Sequence, residues 1–131
     1  MPRWFVIVGF AVVVLGLAHR PSPGQEFASW FPPVKEVSRR YADALTRRDA
    51  SACQAVTTTQ LWSRLGPRLA SGTNFGTVEA LDSGNQVRQG LAYMHLLCTH
   101  PDGVSDVVTI TLVQVGSEWK VAGGPCGATP P

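Results

Sequence analysis

Trp4 to Ala18 is a run of fifteen residues without a charged or strongly polar side chain, fenced by Arg3 on one side and His19-Arg20 on the other. Such a stretch has no polar face to turn towards water, so it does not suit a surface helix of a small domain. Its length matches the apolar core of a secretory signal peptide, about 7–15 residues, and falls short of the roughly 20 residues of a full spanning helix. Gly16-Leu17-Ala18 puts small residues at both positions that a signal peptidase reads. Residues 1–18 are therefore expected to be a cleaved signal peptide or a short retained membrane anchor. No cysteine follows the run closely, which closes the lipoprotein route. In either case the remainder is expected to work outside the cytoplasm, secreted or anchored to the cell membrane.

That address bounds the chemistry. Of the 131 residues, about 110 remain after the leader, enough for one modest core. Eleven basic and nine acidic side chains leave a net charge of +2. So small an excess gives no global field to attract nucleic acid, and none is expected as a partner. Arg39-Arg40, Arg47-Arg48, Arg64 and Arg68 gather in one half of the chain and read as an ordinary solvated surface. Three cysteines in an oxidising compartment allow one disulfide and leave one thiol over. Cys126, in a Gly-Gly-Pro-Cys-Gly tail that needs tying down, is expected in the bridge with Cys53 or Cys98. Spacing alone does not choose between them.

Pro21-Ser22-Pro23-Gly24-Gln25 reads as a stiff spacer, and residues 19–32 are expected to be an extended linker that carries Phe27, Trp30 and Phe31. A helix is expected from Pro33, with Val34, Val37, Tyr41, Ala44 and Leu45 as its apolar stripe. Glu36 with Arg40, and Asp43 with Arg47, are (i, i+4) ion pairs in the favourable order. Asp49 is placed to cap a second short helix, Thr57-Thr58-Thr59 interrupts it, and a third piece from Gln60 meets Gly66-Pro67, expected to stop or kink it.

From Thr77 the hydrophobic period shortens to that of strands. Thr77–Leu81 is a short strand ended by Asp82-Ser83-Gly84-Asn85, and Val87–Thr99 a longer one with two apolar faces. Pro101-Asp102-Gly103 turns the chain into Val104–Val115, and Gly116-Ser117 turns it again into Glu118–Ala122. A two-residue loop at Gly116-Ser117 sets Trp119 opposite Gln114 and Val121 opposite Leu112, with Val108, Ile110, Leu112, Trp119 and Val121 as the inward row. Helices followed by an antiparallel meander make an α+β domain over residues 33–126, with residues 127–131 a disordered tail.

The stretch Tyr41-Ala42-Asp43-Ala44-Leu45-Thr46-Arg47-Arg48-Asp49-Ala50-Ser51-Ala52 and the closing Val113-Gln114-Val115-Gly116-Ser117-Glu118-Trp119-Lys120-Val121 resemble, in their order and separation, the nuclear-transport-factor-two-like superfamily. The resemblance implies a cone: a curved antiparallel sheet wrapped around a long helix, with a pocket at the wide end. It also implies a choice between isomerase- or cyclase-like enzymes and non-catalytic extracytoplasmic domains, because fold alone does not select function. On that cone Tyr93, His95, Trp119 and Tyr41 are the pocket candidates. Tyr93 and His95 share one strand face and are the residues a proton-transfer pair would use. No carboxylate stands in their row, so a non-catalytic domain that binds or assembles with an envelope or secreted protein is the preferred reading. The alternative is a small pocket enzyme acting on an apolar ligand. No cofactor signature is present, and Cys98, His100, Cys126 and His95 lack the paired Cys-x-x-Cys spacing of a zinc site.

Overall fold

A computed structural model describes residues 23–124. Among them three helices precede four strands: α1 (Pro23–Arg47), α2 (Ala50–Val56), α3 (Thr59–Ala70), β1 (Thr77–Arg88), β2 (Leu91–Thr99), β3 (Ser105–Val115) and β4 (Glu118–Gly123). The strands form an open antiparallel sheet in the order β1-β2-β3-β4, with the helices packed on one side. The α+β class is as the sequence implies. The leader, the tail from residue 127 and Cys126 lie outside the described residues. No helix among the described residues is long and apolar enough to cross a membrane.

The first helix starts earlier than its sequence suggests. The expected linker over residues 19–32 is helical from Pro23 onward, and α1 runs through Pro32 and Pro33. Neither proline can donate to the carbonyl four residues back, a loss of about 3 kcal/mol or more for each in a helix interior. Both prolines lie on the exposed face. The opposite face gains an aromatic cluster, with Phe27 and Phe31 stacked at 4.4 Å and Trp30 edge-on to Phe31 at 5.6 Å. Trp30 is buried, as are Val34, Tyr41, Ala44 and Leu45, so the stripe expected from residue 34 continues one turn further back. The two expected ion pairs are present on the outer face: Arg40 Nε lies 3.2 Å from Glu36 Oε1, and Arg47 pairs with Asp43.

Caps behave as their residue types dictate. Asp49 Oδ1 accepts from the Ala52 N–H at 3.1 Å to open α2, and Thr58 Oγ1 accepts from the Leu61 N–H at 3.2 Å to open α3. The expected break at Gly66-Pro67 does not occur. α3 continues to Ala70 with Leu61 and Leu65 buried, and a Cβ on Gly66 would come within 3.2 Å of the Trp62 indole.

In the sheet, β3 and β4 pair as the two-residue turn requires, Leu112 with Val121 and Gln114 with Trp119. Ile110, Leu112, Trp119 and Val121 are buried and Val108 packs against the core. The β1–β2 hairpin differs from expectation. Asp82 to Asn85 is not a turn but a bulge within one continuous strand: Ala80 pairs with Leu96 and Gly84 with Met94, so four residues of β1 span two of β2. The chain reverses instead at Gln89-Gly90, where Gly90 has φ +78°. A Cβ on Gly84 would overlap the Met94 sulfur and approach the Tyr93 carbonyl oxygen to 2.9 Å, so the bulge needs glycine at that point.

Both sheet edges are tied to helical segments. Thr46 Oγ1, in the last turn of α1, accepts from the Val78 N–H at 2.8 Å. Its own proton is shared between the Val78 and Ala42 carbonyls at 3.1 and 3.0 Å. At the other edge the Thr58 N–H donates to the Val121 carbonyl at 2.9 Å, and Thr57 bridges Val121. Such contacts shield exposed backbone from pairing with other chains. Thr46→Val should cost about 1–3 kcal/mol, because it leaves the buried Val78 amide without its acceptor. Urea denaturation checks this, with Thr46→Ser expected to recover most of the loss.

Candidate functional site

The turn between β2 and β3 decides where the expected pocket residues point. A two-residue turn at Asp102-Gly103 would bring Tyr93 opposite Leu112, on the helix side. The His100 carbonyl instead accepts from Gly103 N at 2.9 Å, the His100 N–H donates to the Val104 carbonyl at 2.8 Å, and Gly103 has φ +90°. This is a three-residue loop ending in a left-handed glycine. It pairs Tyr93 with Thr111 and His95 with Thr109. One extra residue in the loop turns every side chain of β2 over.

Ala92, Met94, Leu96 and Cys98 therefore fill the core, while Leu91, Tyr93, His95, Leu97 and Thr99 lie half-buried on the outer face. His95 Nδ1 bonds the Thr109 hydroxyl at 3.2 Å, and among the described residues no carboxylate meets it. Tyr41, by contrast, is fully buried in the core beneath the helices, and Trp119 is buried on the same side of the sheet. The four candidates do not line one pocket: Tyr93 and His95 are separated from Tyr41 and Trp119 by the sheet itself. His95 and Cys98 also lie on opposite faces, so these two do not face a common point; Cys126, the other cysteine of the zinc arrangement, lies outside the described residues. Among the described residues no cluster of three His, Cys, Asp or Glu could hold a metal ion.

Trp119 does line a recess. A cleft of about 260 Å³ lies between α1 and β4, with Pro33, Val37, Val56 and Trp119 as apolar wall. Charged groups ring it: Glu36 and Arg40 from α1, Glu118 and Lys120 from β4. Lys120 Nζ donates to the Ala55 carbonyl at 2.6 Å and lies 3.5 Å from Glu118 Oε2, so it ties the exposed end of α2 to the sheet edge. At this size the cleft is below the ~300–1,000 Å³ of a drug-sized ligand site and suits a single side chain or a short peptide segment. The sequence reading found Trp119 but missed Glu36, Arg40 and Lys120 as its neighbours. The available signal was that the Glu36–Arg40 pair flanks Val37 on the helix and that Glu118 and Lys120 flank Trp119 on the strand.

Two wider grooves are more polar. One of about 490 Å³ runs between α1 and β1, past Lys35, Asp43, Glu79 and Asp82, with Lys35 ion-paired to Asp82. The other, about 500 Å³, lies between the first turns of α1 and the β1–β2 hairpin.

Cys53 and Cys98 are both buried and are not bridged to each other. The expected disulfide involves Cys126, outside the described residues. Burial pushes the Cys53 thiol up to about 11, with the nearby Asp49 carboxylate adding to the rise. The folded protein thus holds this proton more tightly than the unfolded chain, whose thiol sits near 9.0. The resulting stabilisation is full below pH 9.0 and is lost as the pH climbs towards about 11. The stability difference between the native chain and Cys53→Ala should accordingly be constant from pH 7 to 9 and shrink above it, as urea midpoints at each pH would show. A difference that grows with pH would contradict this.

In comparisons with known proteins, no family model, no curated protein and no solved structure matches this chain.

Proposed function

We propose that this chain is a non-catalytic extracytoplasmic binding or assembly domain of nuclear-transport-factor-two-like architecture, secreted or held at the membrane by residues 1–18. The observation that carries the reading is the outward position of Tyr93 and His95. A proton-transfer pair needs both groups against a substrate in a site that excludes water. Here they share an open sheet face, and the imidazole is bonded to a threonine hydroxyl rather than oriented by a carboxylate. The alternative reading, a pocket enzyme acting on an apolar ligand, requires the opposite register of β2. The architecture is supported by the long first helix beneath the meander and by the bulge in β1, since bulges sharpen the twist that a curved sheet requires.

For the binding surface, the cleft walled by Trp119 is the recess we assign to a partner's side chain. It combines an apolar floor with a polar rim, as interface hot spots do. Affinity purification of the tagged chain from its own cells, with ligand extraction in parallel, tests the reading. A recurrent protein partner that is lost on Arg40→Glu, with thermal stability unchanged, is the expected result. A stoichiometric small molecule with no recurrent protein would overturn it in favour of the enzyme. Protease accessibility in intact cells tests the address, and full protection would overturn export.

A further inference from the structure

The meander has two ends. The turns at Gln89-Gly90 and Gly116-Ser117 lie at one, and the Pro101–Gly103 turn lies at the other. α1 begins at the first end, where Glu26 and Trp30 face Val87 and Arg88 of the hairpin across the cleft of about 500 Å³. It finishes at the second, where Thr46 bonds Val78. A helix of 25 residues is about 37 Å long at 1.5 Å per residue.

Between Ala18 and Pro23 stand four residues, which span at most about 14 Å fully extended. If residues 1–18 remain in a bilayer, the tether is far too short for the second end to reach it. The first end is held within a few residues of the lipid surface. That end carries Phe27, 46% exposed, and Val87, 57% exposed, with Val115 on the adjoining hairpin also more than half exposed. Scattered exposed apolar side chains are ordinary on a soluble surface. These, however, stand at the end the tether delivers, where Arg88 follows Val87 on the hairpin and Phe27 packs edge-on to the buried Trp30. Aromatic and apolar tips next to a cation suit the headgroup boundary, where apolar atoms leave water and guanidinium meets phosphate.

We propose that the first turn of α1 and the β1–β2 hairpin lie against the phospholipid surface in which residues 1–18 are anchored, with Phe27 and Val87 entering the headgroup boundary and Arg88 on lipid phosphate. This rests on the anchored form of the function proposed above. Docked so, the domain stands upright on the membrane, and the Pro101–Gly103 turn points away from it.

The test uses the full chain reconstituted in phosphatidylcholine–phosphatidylglycerol vesicles with brominated acyl chains, comparing Val87→Trp with Val107→Trp. Both valines are more than half exposed, so neither substitution enters the core. The fluorescence added by tryptophan at 87 should be quenched several-fold more than that added at 107, in chains that float with the vesicles. Equal quenching at both positions in floating chains would overturn docking and leave anchoring intact. Chains that do not float with vesicles would overturn both. Hydrogen exchange of the unsubstituted chain reads the same contact without mutation: residues 87–90 should slow in vesicles relative to detergent and residues 101–104 should not. Equal behaviour of the two turns would overturn the docking.

Discussion

Gly76→Ala should be the most damaging single-methyl change in the domain, lowering stability by about 3 kcal/mol or more. Gly76 enters β1 with φ +74°, and a Cβ there would overlap the Thr99 carbonyl oxygen, with the Thr99 carbonyl carbon at 2.9 Å and the His100 Cα at 3.0 Å. Two costs add. A left-handed conformation costs an L-residue about 1–2 kcal/mol. The overlap is with backbone, which cannot swing aside as a side chain can. Relief requires the start of β1 to move off the end of β2, where Thr77 pairs with Thr99. Gly72 is the internal control: its φ is +82°, yet a Cβ there meets nothing within 4 Å. Gly72→Ala should therefore show the conformational cost alone. In a domain of this size each kcal/mol moves the melting temperature by roughly 4–8 °C, so the two variants are readily separated by thermal denaturation. Equal losses would mean that the backbone at Gly76 yields without cost.

What the sequence shows and what it hides divide along physical lines. The β3–β4 register was legible because a two-residue turn at Gly116-Ser117 leaves one pairing, and the alternation of Val108, Ile110 and Leu112 with Thr109 and Thr111 says which face is inward. The α1 stripe was legible from Val34 onward, and the capping by Asp49 followed from its side-chain oxygen. The first turns of α1 were hidden behind Pro32-Pro33, whose local preference is overridden by the burial of Trp30. In β1, Asp82-Ser83-Gly84-Asn85 has the composition of a turn, but Met94 and Phe31 leave room there only for a bulge built on Gly84. The candidate site failed at one point. That Tyr93 and His95 share a face follows from a period of two. Which face is inward does not, because Leu91 and Leu97 on one side are as apolar as Met94 and Leu96 on the other. A single residue in the Pro101–Gly103 loop decides it, and Asp-Gly is compatible with loops of either length.

Trp119→Ala should cost about 3–5 kcal/mol, the range for removing a buried tryptophan, and should abolish retention of a partner at the same time. Trp119 is 8% exposed; its indole fills the core opposite Gln114 while one edge walls the cleft between Glu36, Arg40 and Lys120. A loss of that size is a large fraction of the 5–15 kcal/mol typical of a whole domain, so lost binding in this variant would say nothing by itself about the cleft. Trp119→Phe separates the two effects. A phenyl ring keeps most of the buried area, and the fold should survive with a lowered but cooperative melting transition. The cleft wall, however, recedes by the width of a five-membered ring, so a partner side chain seated there loses contact. Folded Trp119→Phe with weakened partner retention would mark the recess as the binding surface. Folded Trp119→Phe with full retention would move the interface elsewhere on the domain and leave Trp119 as core alone.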